Sequence, residues 1–440
     1  MPGTSTLDIT DGLLATLLSE DSFWPAEPTS LEDTGLSATA VESLVCKLLL
    51  VTGTSSGRGI AERISLSFGI LEPTFAALRT RQILVHAGSA PFNDYYYTLT
   101  EQGRTLADSY MASSAYVGPA PVPLMDYVIS VDAQSIAAEA PRRDQLQAAL
   151  EGITAEEWLF DQLGPAVNSG AGMFLYGAPG NGKSTLATRL ITCFGQSIWI
   201  PHAITEDGQL IKVYDPTYHR EVESQRDGLI NKVQHDRRWI KVRRPTVVVG
   251  GELTMDNLEI RHDPRSNTSE APLQMKSNCG CMLIDDFGRQ RIDPDELLNR
   301  WIVPLESRHD FLTLPTGKKI QVPFEQLIIF STNLKPSDLV DEAFLRRLPY
   351  KIEITDPGDE EFHRLFRLCA EKLDCNYSAE VVDYLLDKHY RAAGRPLRRC
   401  HPRDLLGQVR NFCQYHGLPL EMKPEYFDRA AKTYFTTALG

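Results

Sequence analysis

Residues 172–185 read GMFLYGAPGNGKST, a short apolar run set directly against a loop with three glycines, a lysine and two hydroxyl residues. An apolar run of this length bounded by glycine reads as a buried parallel strand. Leu186–Phe194 beyond it has the spacing of a helix. The glycines let backbone N–H groups turn inward around an anion with no Cβ in the way. The helix starting near Lys183 adds the positive end of its dipole to the same point. A strand of this kind needs helical crossovers to its neighbours and cover on both faces. The expected fold class is therefore α/β, a parallel sheet flanked by helices.

The loop spacing matches GxxxxGK[ST], the P-loop of nucleotide-binding proteins. Gly177, Ala178, Pro179, Gly180, Asn181, Gly182, Lys183, Ser184 and Thr185 are the candidate ATP-binding residues. Lys183 can reach the β and γ phosphates, and the Ser184 hydroxyl can ligate Mg²⁺. A second stretch, Cys281-Met282-Leu283-Ile284-Asp285-Asp286-Phe287-Gly288, ends a buried strand on two adjacent carboxylates. Two like charges there are costly unless a cation faces them. A metal resolves the conflict: Asp285 faces Mg²⁺ beside Ser184, and Asp286 orients or deprotonates the attacking water. These are the metal and base positions of a Walker B motif.

With both motifs placed, residues of roughly 150–440 resemble AAA+ ATPases. In that resemblance Asn333, after the strand Leu327-Ile328-Ile329-Phe330-Ser331 and Thr332, takes the sensor 1 position and would hold the attacking water. Arg346 and Arg347, in DEAFLRR, take the arginine-finger position, with Arg347 preferred because it precedes Leu348. Arg403, in CHPRDL, takes the sensor 2 position at the start of a lid helix and would bind the nucleotide. The run DFLTLPTGKKIQVPF reads as a hairpin turning at Pro315–Lys318, which together with the PRDLL stretch resembles the MoxR-like subgroup. The resemblance implies Mg²⁺-dependent ATP hydrolysis in a homo-oligomeric ring, expected as a hexamer, that remodels a bound macromolecule. A finger supplied by a neighbouring subunit completes each site.

There are departures from the family pattern. The base position usually carries Glu, and Asp286 is shorter by one methylene, about 1.5 Å of reach. Asp285 follows Lys183 by 102 residues, longer than the family's usual spacing. The excess holds the strand-like pieces IWIPHAI, LIKVYD and PTVVVGG and a basic stretch: Arg226, Lys232, Arg237, Arg238, Lys241, Arg243 and Arg244 against Asp227 and Asp236. That stretch reads as a solvated helix face, or as a contact to nucleic acid or to an acidic segment such as residues 1–46.

Residues 1–46 contain no Lys or Arg. We divide the chain into an acidic flexible segment 1–34 with one short candidate helix at Asp11–Leu18, a winged helix-turn-helix domain 35–116, a linker and helix 117–150, the ATP-binding domain 151–355 and a helical lid 356–440. The winged helix rests on three helical patterns (one from Ser37, then Gly59–Leu66 and Leu71–Thr80), a hairpin formed by ILVHA and YYYTL, and a helix opened by Thr100. Its Tyr97–Arg104 run resembles the wing exit of MarR-like proteins. Six Lys or Arg face six Asp or Glu between Gly35 and Ser114. A DNA-binding stripe should be basic, and the whole chain carries −13. A protein client is therefore expected over nucleic acid, the alternative being a DNA-bound switch or loader. No apolar run is long enough to span a bilayer, and the start lacks a signal-peptide pattern; the expected location is cytoplasmic. The eight cysteines form no CxxC pair, so buried free thiols are expected rather than zinc, Cys400-His401 included.

Overall fold

The computed structural model describes residues 22–153, 156–195, 197–222, 235–340 and 342–435. Its centre is a five-stranded parallel sheet in the order Thr246–Val249, Cys281–Ile284, Leu327–Thr332, Met173–Tyr176, Tyr350–Glu353. Side chains alternate across a strand, and that period sorts each strand into two cores. Met173, Leu175, Cys281, Leu283, Leu327 and Ile329 pack with Leu159, Leu163, Leu186 and Leu190 from the helices Glu157–Asn168 and Lys183–Leu190. Phe174, Met282, Ile284, Ile328 and Phe330 face the other way, onto Leu297, Leu298 and Trp301 of the helix Pro294–Ser307. Phe174, Phe330 and Trp301 are fully buried, so truncating any of them should cost about 3–5 kcal/mol.

The strand order decides what the sheet presents at its carboxyl edge. The strand ending in Thr332 lies between the P-loop strand and the strand that carries the two aspartates. Thr332 is level with Tyr176, and Ile284 is level with Phe330. Gly177, Asn333 and Asp285 therefore leave the sheet side by side.

PTVVVGG proves to be part of this sheet, its edge strand Thr246–Val249, and not part of the insertion. The remaining inserted strands, joined by Val122–Pro123 from upstream of the P-loop, build a second sheet, in the order Arg261–Asp263, Thr268–Glu270, Gln209–Lys212, Ala203–Glu206, Val122–Pro123, and a two-stranded pair, Ser197–Pro201 with Trp239–Arg243. The hairpin His309–Thr313 and Lys319–Pro323 turns where the sequence places it and joins their core through Leu312, Leu314, Ile320 and Val322.

Residues 38–113 form the helices Ala38–Thr52, Gly57–Ile64 and Phe68–Thr80, the strands Leu84–Ala90 and Asp94–Leu99, and the helix Glu101–Ser113. A short strand, Thr54–Ser56, which the helical pattern hides, adds a third member to the sheet. Ser37, Ser56 and Thr100 cap their helices by accepting from backbone N–H groups. Beyond the sheet, helices Asp359–Lys372, Ala379–Leu385, His401–His416 and Pro424–Tyr434 enclose a separate core around Phe362, Phe366 and Phe427. Among the described residues no helix is long and apolar enough to cross a membrane. All eight cysteines are free, and six are buried.

The acidic, flexible reading of residues 1–34 needs correction from residue 22 onward; the candidate helix Asp11–Leu18 lies outside the described residues. Phe23 packs on Trp239 at 5.3 Å and Trp24 on Trp199 at 5.6 Å. Ala26 bridges to His235, and Glu27 pairs with Arg237 at 3.6 Å. The basic stretch is correspondingly no solvated helix face where it is described. Arg238 is 3% exposed, pairs with Asp236 at 2.8 Å and donates to the Thr34 carbonyl at 2.7 Å. Arg244 is buried against Glu139 and the Cys279 carbonyl. Arg226 and Lys232 lie outside the described residues.

Candidate functional site

Every P-loop glycine whose conformation matters is left-handed or beyond: Gly177 has φ 135°, Gly180 82° and Gly182 84°. A Cβ on Gly177 would lie 2.4 Å from the Ile354 carbonyl, and one on Gly180 2.6 Å from the Cys400 sulfur. Only glycine fits both tests. The helix Lys183–Leu190 starts at Gly182 with no side-chain cap, which leaves its first N–H groups to an anion.

Lys183 is buried and donates to the Gly177 carbonyl at 2.8 Å, the Ala178 carbonyl at 3.0 Å and Asn333 Oδ1 at 2.8 Å. Burial depresses its ammonium below the ordinary lysine range; Asp285 and Asp286 pull it back, and Arg398 adds to the depression. Ser184 Oγ donates to Asp285 Oδ2 at 2.7 Å. Asn333 Nδ2 donates to Asp286 Oδ1 at 3.2 Å. Lys183, Ser184, Asp285, Asp286 and Asn333, spread over 150 positions, thus form one connected set.

Asp286 has φ 49°, a left-handed conformation that Asp tolerates better than most residues. The turn is held on both sides: Phe287 N donates to the Ser331 carbonyl at 2.7 Å, and Thr332 Oγ1 donates to the Phe287 carbonyl at 3.0 Å. The backbone thus brings the shorter acid to Asn333.

The donor set fits a nucleotide with Mg²⁺. The hard oxygens of Ser184 and Asp285 suit an ion that keeps several waters and takes substrate phosphates as ligands. Among the described residues no three His, Cys, Asp or Glu side chains converge on a common metal position, so an all-protein cage is not the design. Burial pushes the Cys400 thiol up.

The two candidate arginines separate. Arg347 Nε pairs with Glu306 Oε1 at 2.7 Å, whereas Arg346 is exposed beside Glu342, Leu345 and Lys351. Arg403 does not turn to the P-loop: its side chain is 76% exposed, pairs with Asp404 and lines a cleft with Cys369 and Lys372. Sequence reasoning missed the residues that do meet the loop. Arg398 pairs with Asp356 and acts on Lys183, and the Arg399 and Cys400 N–H groups donate to Asn181 Oδ1 at 3.2 Å and the Gly180 carbonyl at 2.9 Å. The one available signal was the run of basic residues Arg395, Arg398 and Arg399 just before the helix His401–His416.

Residues 358–433, most of the C-terminal helical region, match the family described as Domain of unknown function (DUF8689). No curated protein matches the chain. Among solved structures, the chain is similar to NtrX from Brucella abortus in complex with ADP (11% identity, TM-score 0.39, 64% of this chain and 56% of that chain). It is also similar to a RuvB mutant of Thermotoga maritima (12%, 0.37, 64% and 72%). A third is the complex between subunits BchI and BchD of magnesium chelatase (17%, 0.32, 68% and 93%). The chain thus spans less than two thirds of the NtrX chain it matches. These likenesses are slight, and the functional assignment rests on the site itself.

Proposed function

We propose that the chain is an AAA+ ATPase that hydrolyses ATP in an oligomeric ring and couples turnover to remodelling of a bound macromolecule, a protein in preference to nucleic acid. The observation that carries this reading is the connected set at the sheet edge, in which Ser184 meets Asp285 and Asn333 joins Lys183 to Asp286. Lys183 exchanges its loop carbonyls for the β and γ phosphates, and the N–H groups of residues 180–185 cradle them. Ser184 and Asp285 would hold Mg²⁺, which when bound neutralises charge on the phosphate oxygens. Asp286 accepts the proton of the attacking water, while the Asn333 amide fixes the direction of that carboxylate and of the water. Arg346, the exposed member of its pair, is the better candidate to reach a neighbouring subunit; Arg347 is occupied by Glu306.

Residues 35–116 support a winged helix. Its hairpin Leu84–Leu99 contains no Lys or Arg and exposes Phe92, Tyr95 and Tyr96, while Arg81 is paired with Glu42. Aromatic contact suits a protein partner; the phosphate backbone of DNA requires cations. The burial of Arg238 and Arg244 in ion pairs further weakens the DNA-bound alternative. The hairpin before the Asn333 strand supports the MoxR-like placement.

Subunit mixing tests the proposal. A variant with Arg346→Ala and Arg347→Ala should bind ATP and turn over little, and Lys183→Ala should not bind tightly. Mixed rings can join an intact P-loop to intact arginines, so activity should return on mixing. No recovery, with mixed assembly shown by crosslinking, refutes a shared site.

A further inference from the structure

The tip of the P-loop is bonded to the lid. Asn181 is 3% exposed, and its side chain is fully used. Nδ2 donates to Asp356 Oδ1 at 2.7 Å and reaches the Ile354 carbonyl at 3.4 Å, while Oδ1 accepts from Arg399 N at 3.2 Å. Beside it, Cys400 N donates to the Gly180 carbonyl at 2.9 Å. Asp356 in turn pairs with Arg398, and Arg399 pairs with the buried Glu361 at 2.9 Å. Residues 354–356 lead from the last sheet strand into the lid, and residues 398–400 precede the lid helix His401–His416. One side chain therefore holds the P-loop, the entry to the lid and the start of its central helix at a single point.

The chemistry of that point is specific to an amide. The position needs a donor toward the Asp356 carboxylate and an acceptor toward the Arg399 N–H on one short side chain, and Asn supplies both. A hydroxyl is too short to span the two, and a carboxylate would face Asp356 with like charge.

We propose that Asn181 is a positioning residue that makes lid orientation and P-loop conformation one variable, so that lid movement sets the nucleotide release rate through Gly180, Asn181 and Lys183. This rests on the ATPase reading. It predicts that separating the two parts speeds release of bound nucleotide while Lys183, Ser184 and Asp285 stay intact.

The experiment uses the full chain and a fluorescent mant-ADP probe with Mg²⁺. Asn181→Leu removes all three side-chain hydrogen bonds, and Asn181→Asp sets two carboxylates face to face. Both should raise the dissociation rate about tenfold or more. Asp356→Asn should rescue only the Asn181→Asp variant, because the amide then at position 356 donates to the carboxylate at position 181, the original bond with its polarity reversed. Hydrogen exchange at the Arg399 and Cys400 amides, read without nucleotide, should speed up in both single variants and slow again in the rescued one. Wild-type dissociation and exchange in both single variants overturns the inference. So does a natively melting double variant, Asn181→Asp with Asp356→Asn, that shows no recovery in either measurement. Equal probe binding by wild type and Lys183→Ala would instead sink the ATPase reading, and the exchange measurement still decides the inference in that case.

Discussion

The Asp286 carboxylate accepts from the Asn333 amide at 3.2 Å, on a residue whose φ is 49°. Asn adopts this left-handed conformation as readily as Asp, and an amide at position 286 can turn its oxygen to the same donor. Asp286→Asn therefore removes a proton acceptor while leaving the turn and its contacts in place. A positioned general base contributes about 10²–10⁴ in rate, equivalent to roughly 2.7–5.4 kcal/mol of barrier. Turnover should fall by that factor. ATP affinity should stay within about threefold of wild type or improve, since one negative charge near the phosphates is gone. Single-turnover phosphate release and a mant-ATP titration read the two quantities separately. Asp286→Glu sharpens the test. The added methylene drives the carboxylate about 1.5 Å further toward an amide already in contact, on a backbone that costs Glu about 1 kcal/mol, so turnover should fall rather than rise. Turnover of Asp286→Asn within threefold of wild type would place the base elsewhere, and a faster Asp286→Glu would show that Asp is too short.

Gly180→Ala, which must place a Cβ 2.6 Å from the Cys400 sulfur at φ 82°, should weaken ATP binding at least tenfold in a calorimetric titration; unchanged affinity would mean that the loop does not need this approach. Arg238→Ala leaves the buried Asp236 carboxylate unpaired and should cost about 3–5 kcal/mol in a denaturant melt, with the segment from residue 22 becoming sensitive to protease. Lys47 is 4% exposed, donates to the Ser114 carbonyl at 3.0 Å, and is brought down by burial to about 8. The unfolded chain thus binds more protons between pH 8 and about 10.4, so stability rises with pH across that window. Lys47→Met should accordingly stabilise the protein at pH 7, by on the order of 1–2 kcal/mol, and lose that advantage above pH 10.5; a destabilised variant at pH 7 would reverse the sign of the argument. Binding to duplex DNA should be weak and lost by about 200 mM salt, and tight, sequence-selective binding by the full chain would restore the DNA-bound alternative.

What could be read from the sequence was whatever chemistry sits at the end of a buried apolar run. Met173–Tyr176, Cys281–Ile284 and Leu327–Thr332 announce themselves as strands, so Lys183, Asp285, Asp286 and Asn333 could be placed with them. Strand order could not be read, which is why PTVVVGG was assigned to the insertion; its β-branched residues look the same in either sheet. The basic stretch misled for a different reason. Its counter-charges include Glu27 and Glu139, which approach from distant parts of the chain, so a local charge count saw an exposed face where there are buried pairs. Arg403 is singled out by its place at the start of a helix, which is a local cue. Proximity to the P-loop depends instead on backbone contacts between positions 180 and 400, which leave no mark in either segment. Asn181 could be recognised only as a loop member, since its partners Asp356 and Arg399 carry no motif.

The central claim is that the connected set around Lys183 hydrolyses ATP. Steady-state phosphate release by the purified chain, run beside Lys183→Ala and beside wild type with Mg²⁺ chelated, tests it most directly. Turnover is expected in the wild type, with loss of turnover in the other two and loss of tight ATP binding in Lys183→Ala. Wild-type levels of turnover or ATP binding in Lys183→Ala, or turnover that survives chelation, would contradict it.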